Sequence, residues 1–342
     1  MTDAAETDVA DGGDSVCAAQ SLVPGPYKNS DFMPPLLVVI GATGTGKSAL
    51  AVNLALQMRQ QGFEAEIINA DAMQQYRGMN IGTAKLTAAE MQGIPHHLFD
   101  TLEPSAEASV SAHQQQATLL INSMRESGKA SILVGGSGLY INSAIYKMQL
   151  APHDVNVRQS LEQKLEDFGL ESLVAQLRAA DPAGCEQLDL CNPRRVVRAL
   201  EVLQITGESI TANLPQQPEL MVPTFIVGVR EEREVLVQRL DARVEQMWRD
   251  GLLDEVRQLL LQGLEKSKTA SQAIGYAQAV QQLRGELSEV EAIAMTQQLT
   301  RRYARRQVSW FGRLHDVFWI SSEQSQDAAV WHEILQKWRE AA

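Results

Sequence analysis

The chain has 342 residues, 44% hydrophobic and 21% charged, the composition of an ordinary globular protein long enough for about two domains. No apolar run reaches the roughly 18–20 residues that span a bilayer, and the only three cysteines (Cys17, Cys185, Cys191) form no C-x-x-C pair, which argues against a disulfide framework and a structural zinc site. A net charge of −12 argues, as a sum, against a nucleic-acid partner, because phosphate binding needs Lys and Arg, but the positive charges are clustered.

Residues 1–32 hold six acids (Asp3, Glu6, Asp8, Asp11, Asp14, Asp31) against one base, Lys28, and lack the features of a secretory or transit peptide. They predict a disordered acidic tail, and with so few cysteines the setting expected is reducing and cytoplasmic.

Leu36 to Ile40, LLVVI, is a short continuous apolar run ending in a glycine, the pattern of a buried parallel strand entering a loop. Ser48 to Gln61 follows with Leu50, Leu54 and Met58 at helical spacing. Between them Gly41-Ala42-Thr43-Gly44-Thr45-Gly46-Lys47-Ser48 matches the phosphate-loop pattern G-x-x-x-x-G-K-[ST] in its required strand-to-helix context. The glycines let backbone N–H groups turn onto a phosphate, Lys47 adds a point charge, and Ser48 can hold Mg²⁺. Most such loops bind a nucleoside triphosphate, so an ATP-dependent kinase is the first expectation, although the loop by itself specifies only a polyphosphate.

EIIN, Glu66 to Asn69, repeats the strand pattern and delivers Asp71 to the carboxyl edge of a parallel sheet, where ligands of open α/β sheets bind. An acid there can be a magnesium ligand, a general base or a helix N-cap. Lys85 lies in the same segment, within reach of phosphate or simply on the surface. The adjacent His96 and His97 point to opposite faces of any regular element, which favours a structural role. A helix around Gln114 to Arg125 and a strand at Ser131 to Val134 precede GGSGLY, which contains Ser137.

From about His153 to Asn213 the pattern is helical without strand-like runs and includes NPRRVVRALE, with Arg194, Arg195 and Arg198. Alone, those arginines read as a solvated helix face or a polyanion contact. TFIVGV, Thr224 to Val229, is strand-like again; helices over Arg233 to Leu261 and Glu289 to Phe311 follow, the latter with Ser288 as N-cap. TRRYARRQVSWFGR carries Arg301, Arg302, Arg305, Arg306 and Arg313 among Tyr303, Trp310 and Phe311. Arginines for phosphates and aromatics for unstacked bases suit a single-stranded RNA loop, while Trp310 and Phe311 equally suit a core.

The fold class expected is α/β, a P-loop NTPase-like parallel-sheet core with a helical insertion domain and C-terminal helices. The core is assigned to 33–152 and 224–322, the insertion to 153–223 and a last helix to 323–342.

GATGTGKS, DAMQQYRGMNIGTAK, GIPHHLFD, LVGGSGLYI, NPRRVVRALEV, RVEQMWRDGLLDEV, QAIGYAQ and TRRYARRQVSWF, in this order, resemble the tRNA dimethylallyltransferase (tRNA isopentenyltransferase) family over roughly residues 35 to 320. The resemblance implies transfer of a dimethylallyl group from dimethylallyl diphosphate to the exocyclic N6 amine of the adenosine at tRNA position 37, next to the anticodon, with Mg²⁺ and without nucleotide hydrolysis. By the same resemblance the phosphate loop holds the donor's diphosphate, Asp71 is the general base, and Arg233 lies near the diphosphate. Asp71, Ala72, Met73, Gln74 and Ser137 match the contact with the target nucleotide; Arg194, Arg195, Val196, Val197 and Arg198, with Arg301, Arg302, Arg305 and Arg306, match tRNA-binding segments.

Two departures from the family pattern occur. Asp71 is followed by Ala72 where Ser is usual, and Ser137 stands where Thr is usual, which keeps a hydroxyl. Chemistry on a paired or stacked base requires extrusion, so a channel between core and insertion is expected, running from the phosphate loop to the Arg301–Arg306 helix. An adenylate isopentenyltransferase shares the phosphate loop but would need neither the insertion nor the basic helix. No membrane contact and a monomer are expected, and no Cys/His set is present for the C-terminal zinc finger that eukaryotic members often carry.

Overall fold

The computed structural model describes residues 33–148, 150–211 and 219–342; the acidic tail, Cys17 and Asn213 lie outside the described residues. Six parallel strands form one sheet in the order β3-β2-β4-β1-β5-β6: β1 (Leu36–Gly41), β2 (Ala65–Asn69), β3 (His96–His97), β4 (Ala130–Gly135), β5 (Thr224–Arg230) and β6 (Val317–Ser321). β1 is central, paired in register with β4 (Val39 to Val134) on one side and β5 (Val39 to Val227) on the other.

The unbroken apolar run of β1 follows from burial on both faces. Leu37 and Val39 enter one core beneath α1 (Lys47–Gln60) and α11 (Ala328–Glu340). Leu36, Val38 and Ile40 enter a second core beneath α2 (Val110–Glu126) and α3 (Gly138–Ile145). All five are fully buried, each worth about 1.5–3 kcal/mol of transfer free energy.

Residues 155–206 form α4 (Val155–Ala180), α5 (Pro182–Glu186) and α6 (Pro193–Thr206), with a core of their own around Leu161, Leu173, Leu177, Val196, Val197 and Leu200. α4 is kinked at Gly169, whose φ of 74° lies in the left-handed region. Fully buried Glu201 braces this unit: Arg198 donates to it at 2.8 Å and to the carbonyls of Ala151 and Pro152, while His153 closes on its other oxygen. Burial raises the Glu201 pKa, but the hydrogen bonds from Arg198 and His153 more than offset this and leave it below the usual carboxylate value.

After β5 the chain builds α7 (Arg233–Arg249), α8 (Leu252–Leu261), α9 (Tyr276–Leu283) and α10 (Glu289–Phe311). The single helix expected over Arg233 to Leu261 is broken at Gly251, which takes φ 97° and opens α8. α10 begins as expected: Ser288 accepts from the N–H of Glu291, whose carboxylate returns a bond to the Ser288 N–H, a reciprocal capping box. No helix among the described residues is long and apolar enough to cross a membrane.

Candidate active site

β1 ends in the phosphate loop, where Gly44 (φ 86°) and Gly46 (φ 87°) take left-handed conformations closed to most side chains. A Cβ on Gly44 would also lie 2.8 Å from Leu240. The loop is internally braced by Thr45, whose hydroxyl donates to the Ala42 carbonyl at 2.9 Å, and from α7 by Arg239, which donates to the Gly44 carbonyl at 2.9 Å. The N–H groups of Gly44, Gly46, Lys47 and Ser48 have no acceptor among the described residues, and α1 has no acid in its first turn. An uncompensated helix N-terminus with free donors is an anion site.

Burial pushes the Lys47 pKa below the ordinary lysine value; Asp71 pulls it back up and Arg243 pushes it further down. Arg243, one α7 turn beyond Arg239, is itself lowered by burial and then by Arg239. Two cations forced together in a desolvated space call for an anion between them. Arg243 lines the cavity, whereas Arg233 is exposed on the first turn of α7 and is not among the lining residues. The sequence offered a signal for Arg243 in the run of arginines at 233, 239 and 243, but helical register alone does not say which one faces inward.

Asp71 has one carboxylate oxygen bonded to the backbone and one unbonded among the described residues. Its Oδ1 accepts the N–H of Met73 at 2.9 Å, capping a short 3₁₀ turn at Met73–Gln75, while Oδ2 makes no hydrogen bond among the described residues. Asn69 fixes the turn: its side-chain oxygen accepts the Asp71 N–H at 2.8 Å and its amide donates to the Asp71 and Leu98 carbonyls. His113 in turn donates Nε2–H to the Asn69 carbonyl at 2.8 Å, and burial lowers its pKa. Opposite, the Ser137 hydroxyl at the start of α3 accepts the Ala72 N–H at 3.3 Å.

Asp71, Ala72, Met73 and Ser137 share one cavity of about 1150 Å³, which reaches the phosphate loop at Thr43 and is lined further by Arg243, Tyr303 and Arg306 from the core side and by His153, Arg158, Gln159, Glu162 and Arg194 from the insertion. It is larger than the roughly 300–1,000 Å³ usual for one small ligand. Along the passage expected between the phosphate loop and the basic helix, the cavity touches Thr43 at one end and Tyr303 and Arg306 at the other. Along its wall Lys268 meets Glu162 at 2.8 Å and Gln272 accepts from Arg194 at 2.6 Å, joining the insertion to the segment between α8 and α9.

The remaining candidates divide. Gln74 donates to the Thr83 and Ala84 carbonyls of its own segment and is absent from the cavity wall. Val196 and Val197 are core residues of the insertion and Arg198 is its brace, while Arg195 is exposed, 4.0 Å from Asp189. Arg301 is paired with Asp241; Arg302 and Arg305 are exposed. Phe311 is core, and Trp310 is 40% exposed. Lys85 takes neither role considered for it, since its side chain is only 4% exposed and is bonded to the Tyr76 carbonyl and Asp100. His96 bonds the Ile94 carbonyl and His97 bonds Glu66, both structural contacts.

Tyr276 and Glu255 went unassigned in the sequence. The Tyr276 hydroxyl donates to Glu255 at 2.6 Å, and the same carboxylate accepts the N–H groups of Asn80 and Ile81, pinning the Asn80–Lys85 segment to the cavity wall. The QAIGYAQ and GLLDEV stretches carried this, with no chemical signature to reveal it.

The fold and site define a P-loop α/β enzyme whose anion cradle opens into a chamber walled by a helical insertion. The family model described as IPP transferase matches residues 74–314. A tRNA dimethylallyltransferase of Clavibacter sepedonicus is 52% identical over 288 residues, 83% of this chain and 92% of the relative. The full-length tRNA isopentenylpyrophosphate transferase of Bacillus halodurans superposes with a TM-score of 0.65 at 35% identity, over 90% of this chain and 98% of its own. A eukaryotic dimethylallyltransferase solved acting on tRNA superposes with a TM-score of 0.73 at 27% identity, over 86% and 77%. The chain belongs to the IPP transferase family.

Proposed function

We propose that the protein transfers the dimethylallyl group of dimethylallyl diphosphate to the N6 amine of adenosine 37 in the anticodon stem-loop of tRNA, releasing diphosphate. The observation that carries this reading is one cavity that touches the phosphate loop at Thr43 and passes an acid with a free oxygen to arginines of α10 and the insertion. A kinase would need a nucleotide and a phosphoryl acceptor; here the cradle's phosphates are the leaving group.

In this reading the free N–H groups of Gly44, Gly46, Lys47 and Ser48, with the Lys47 and Arg243 side chains, bind the diphosphate and take up the charge that grows on its bridging oxygen. The N6 lone pair attacks C1 of the prenyl group, the C1–O bond breaks with its electron pair leaving on diphosphate, and the amine proton passes to Oδ2 of Asp71. Ser137 orients the base. Arg194 and Arg306 contact the RNA at the cavity mouth, with Arg302 and Arg305 outside it.

Ser48 fits Mg²⁺ by its chemistry: its hydroxyl has no hydrogen-bond partner among the described residues and sits at the cradle, and Mg²⁺ takes one or two protein oxygens alongside substrate phosphates and water. Among the described residues no cluster of three or more His, Cys, Asp or Glu could hold a metal on its own, so the ion is expected to arrive with the diphosphate. When bound, it neutralises charge on the leaving group. A cytoplasmic monomer is the form proposed.

The test mixes purified protein, labelled dimethylallyl diphosphate and Mg²⁺ with total tRNA or with AMP. Label on tRNA without ATP supports the reading; label on AMP alone, or a requirement for ATP, overturns it.

A further inference from the structure

α10 presents polar groups to two sides. Arg302 and Arg305 point outward, whereas Gln307, 4% exposed, points into the core between the loops that follow β1 and β4. Its Oε1 accepts the Thr43 N–H at 2.8 Å and its Nε2 donates to the Gly136 carbonyl at 2.8 Å. One amide therefore joins the phosphate loop to the turn that carries Ser137. Position 136 admits this only as glycine, since a Cβ there would come within 2.3 Å of Gln307 Nε2. One turn earlier on the same face, the Tyr303 hydroxyl lies near Ser137 and Gln307, and the Arg306 guanidinium covers the Tyr303 ring at 5.8 Å.

We propose that Gln307 is the positioning residue that holds the prenyl-donor cradle and the base-orienting turn in register, so that RNA seated on α10 and donor seated in the phosphate loop meet at a fixed separation. The inference rests on the reading of the cradle as donor site and Ser137 as acceptor site. Gln307 itself binds neither reactant. It occupies the Thr43 N–H, leaving the donors of Gly44, Gly46, Lys47 and Ser48 for the anion, and acts through Thr43 and Gly136. The need is physical: bond formation requires reacting atoms about 3–3.5 Å apart, and a misplacement near 1 Å costs about 10²-fold. Loops are the most mobile parts of a sheet edge. A buried strut across two adjacent loops, built on the helix that also faces the RNA, meets that need.

The test compares Gln307→Met, which keeps the volume and removes both bonds, with Tyr303→Phe, Lys47→Ala and Ser137→Ala. Readouts are the single-turnover rate at saturating substrates, binding of pyrophosphate and tRNA, and thermal unfolding. Gln307→Met is expected to slow single turnover by about 10²-fold while both affinities stay within about threefold. Tyr303→Phe is expected to slow it by several fold, with the double variant no slower than Gln307→Met alone, as for residues acting as one unit. A near-wild-type rate in Gln307→Met, or a loss confined to the affinities, overturns the proposal. Should Gln307→Met fail to fold, an unchanged rate in Tyr303→Phe overturns it equally. If Lys47→Ala and Ser137→Ala also retain full rate, the assignment of the site itself fails, a different result.

Discussion

Arg301 on α10 holds Asp241 on α7, Nη1 lying 2.8 and 2.7 Å from the two carboxylate oxygens. The pair separates Arg301 from the basic residues around it. Its charge ties the helix that carries Gln307 to the helix that carries Arg243, while Arg302, Arg305 and Arg306 on the same helix are exposed.

Replacing Arg302 and Arg305 by Ala is therefore expected to weaken tRNA binding and to flatten the plot of log K against log salt by roughly 0.7–0.9 per arginine. Arg301→Ala removes a half-exposed ion pair worth about 0.2–1 kcal/mol and is expected to lower thermal stability slightly while leaving the salt slope nearly intact. Filter binding at several salt concentrations separates the two; an equal change of slope in both variants would put Arg301 on the RNA.

Asp71→Asn keeps the cap on the Met73 N–H, because an amide oxygen can still accept it, and removes only the capacity to take a proton. Turnover is expected to drop by roughly 10²–10⁴ with tRNA affinity little changed. Turnover within a few fold of the parent would remove Asp71 from the proton transfer.

Arg243→Ala is expected to weaken binding of dimethylallyl diphosphate by about 10- to 100-fold, the loss of one charge-assisted bond worth about 1.5–3 kcal/mol. Arg233→Ala, on the exposed first turn of the same helix, is expected to change it less than twofold. Competition by pyrophosphate measures both, and the reverse ranking would restore Arg233 to the site.

The contrast between these arginines shows where the sequence stops being informative. The phosphate loop, Asp71 and the capping box at Ser288 are local: strand, turn and helix lie within a few residues, so pattern and chemistry coincide. The core strands β1, β2, β4 and β5 were visible because burial on both faces writes a continuous apolar run. The two-residue β3 is too short to write such a run, and the four-residue run VFWI of β6, mostly half-buried at the sheet edge, closely follows the basic helix and does not stand out as a strand. The roles of Arg198, Lys85 and Arg301 depend on partners 3 to 60 residues away in sequence (Glu201, Asp100, Asp241), and Gln307 on Gly136 and Thr43, 171 and 264 residues away. Composition and periodicity register none of these pairings.

Lys47 makes donor binding depend on pH. Burial lowers its pKa from the ordinary 10.5, and Arg243 adds to the shift against the opposing pull of Asp71. Only the ammonium form binds diphosphate well, so in the free enzyme the binding-competent fraction begins to fall at a pH below that ordinary value. Donor affinity is therefore expected to be flat through neutral pH and to decline as pH rises through the lowered pKa. Bound diphosphate favours the proton, so the same group titrates higher in the complex and binding takes up a proton on the alkaline side. Lys47→Arg keeps the charge, and because a guanidinium stays protonated to a pH above about 12, its binding is expected to be weaker but free of the alkaline decline. Calorimetry of pyrophosphate binding in buffers of different ionisation enthalpy measures both affinity and proton uptake without RNA present. An alkaline decline that persists unchanged in Lys47→Arg would assign the titration to another group.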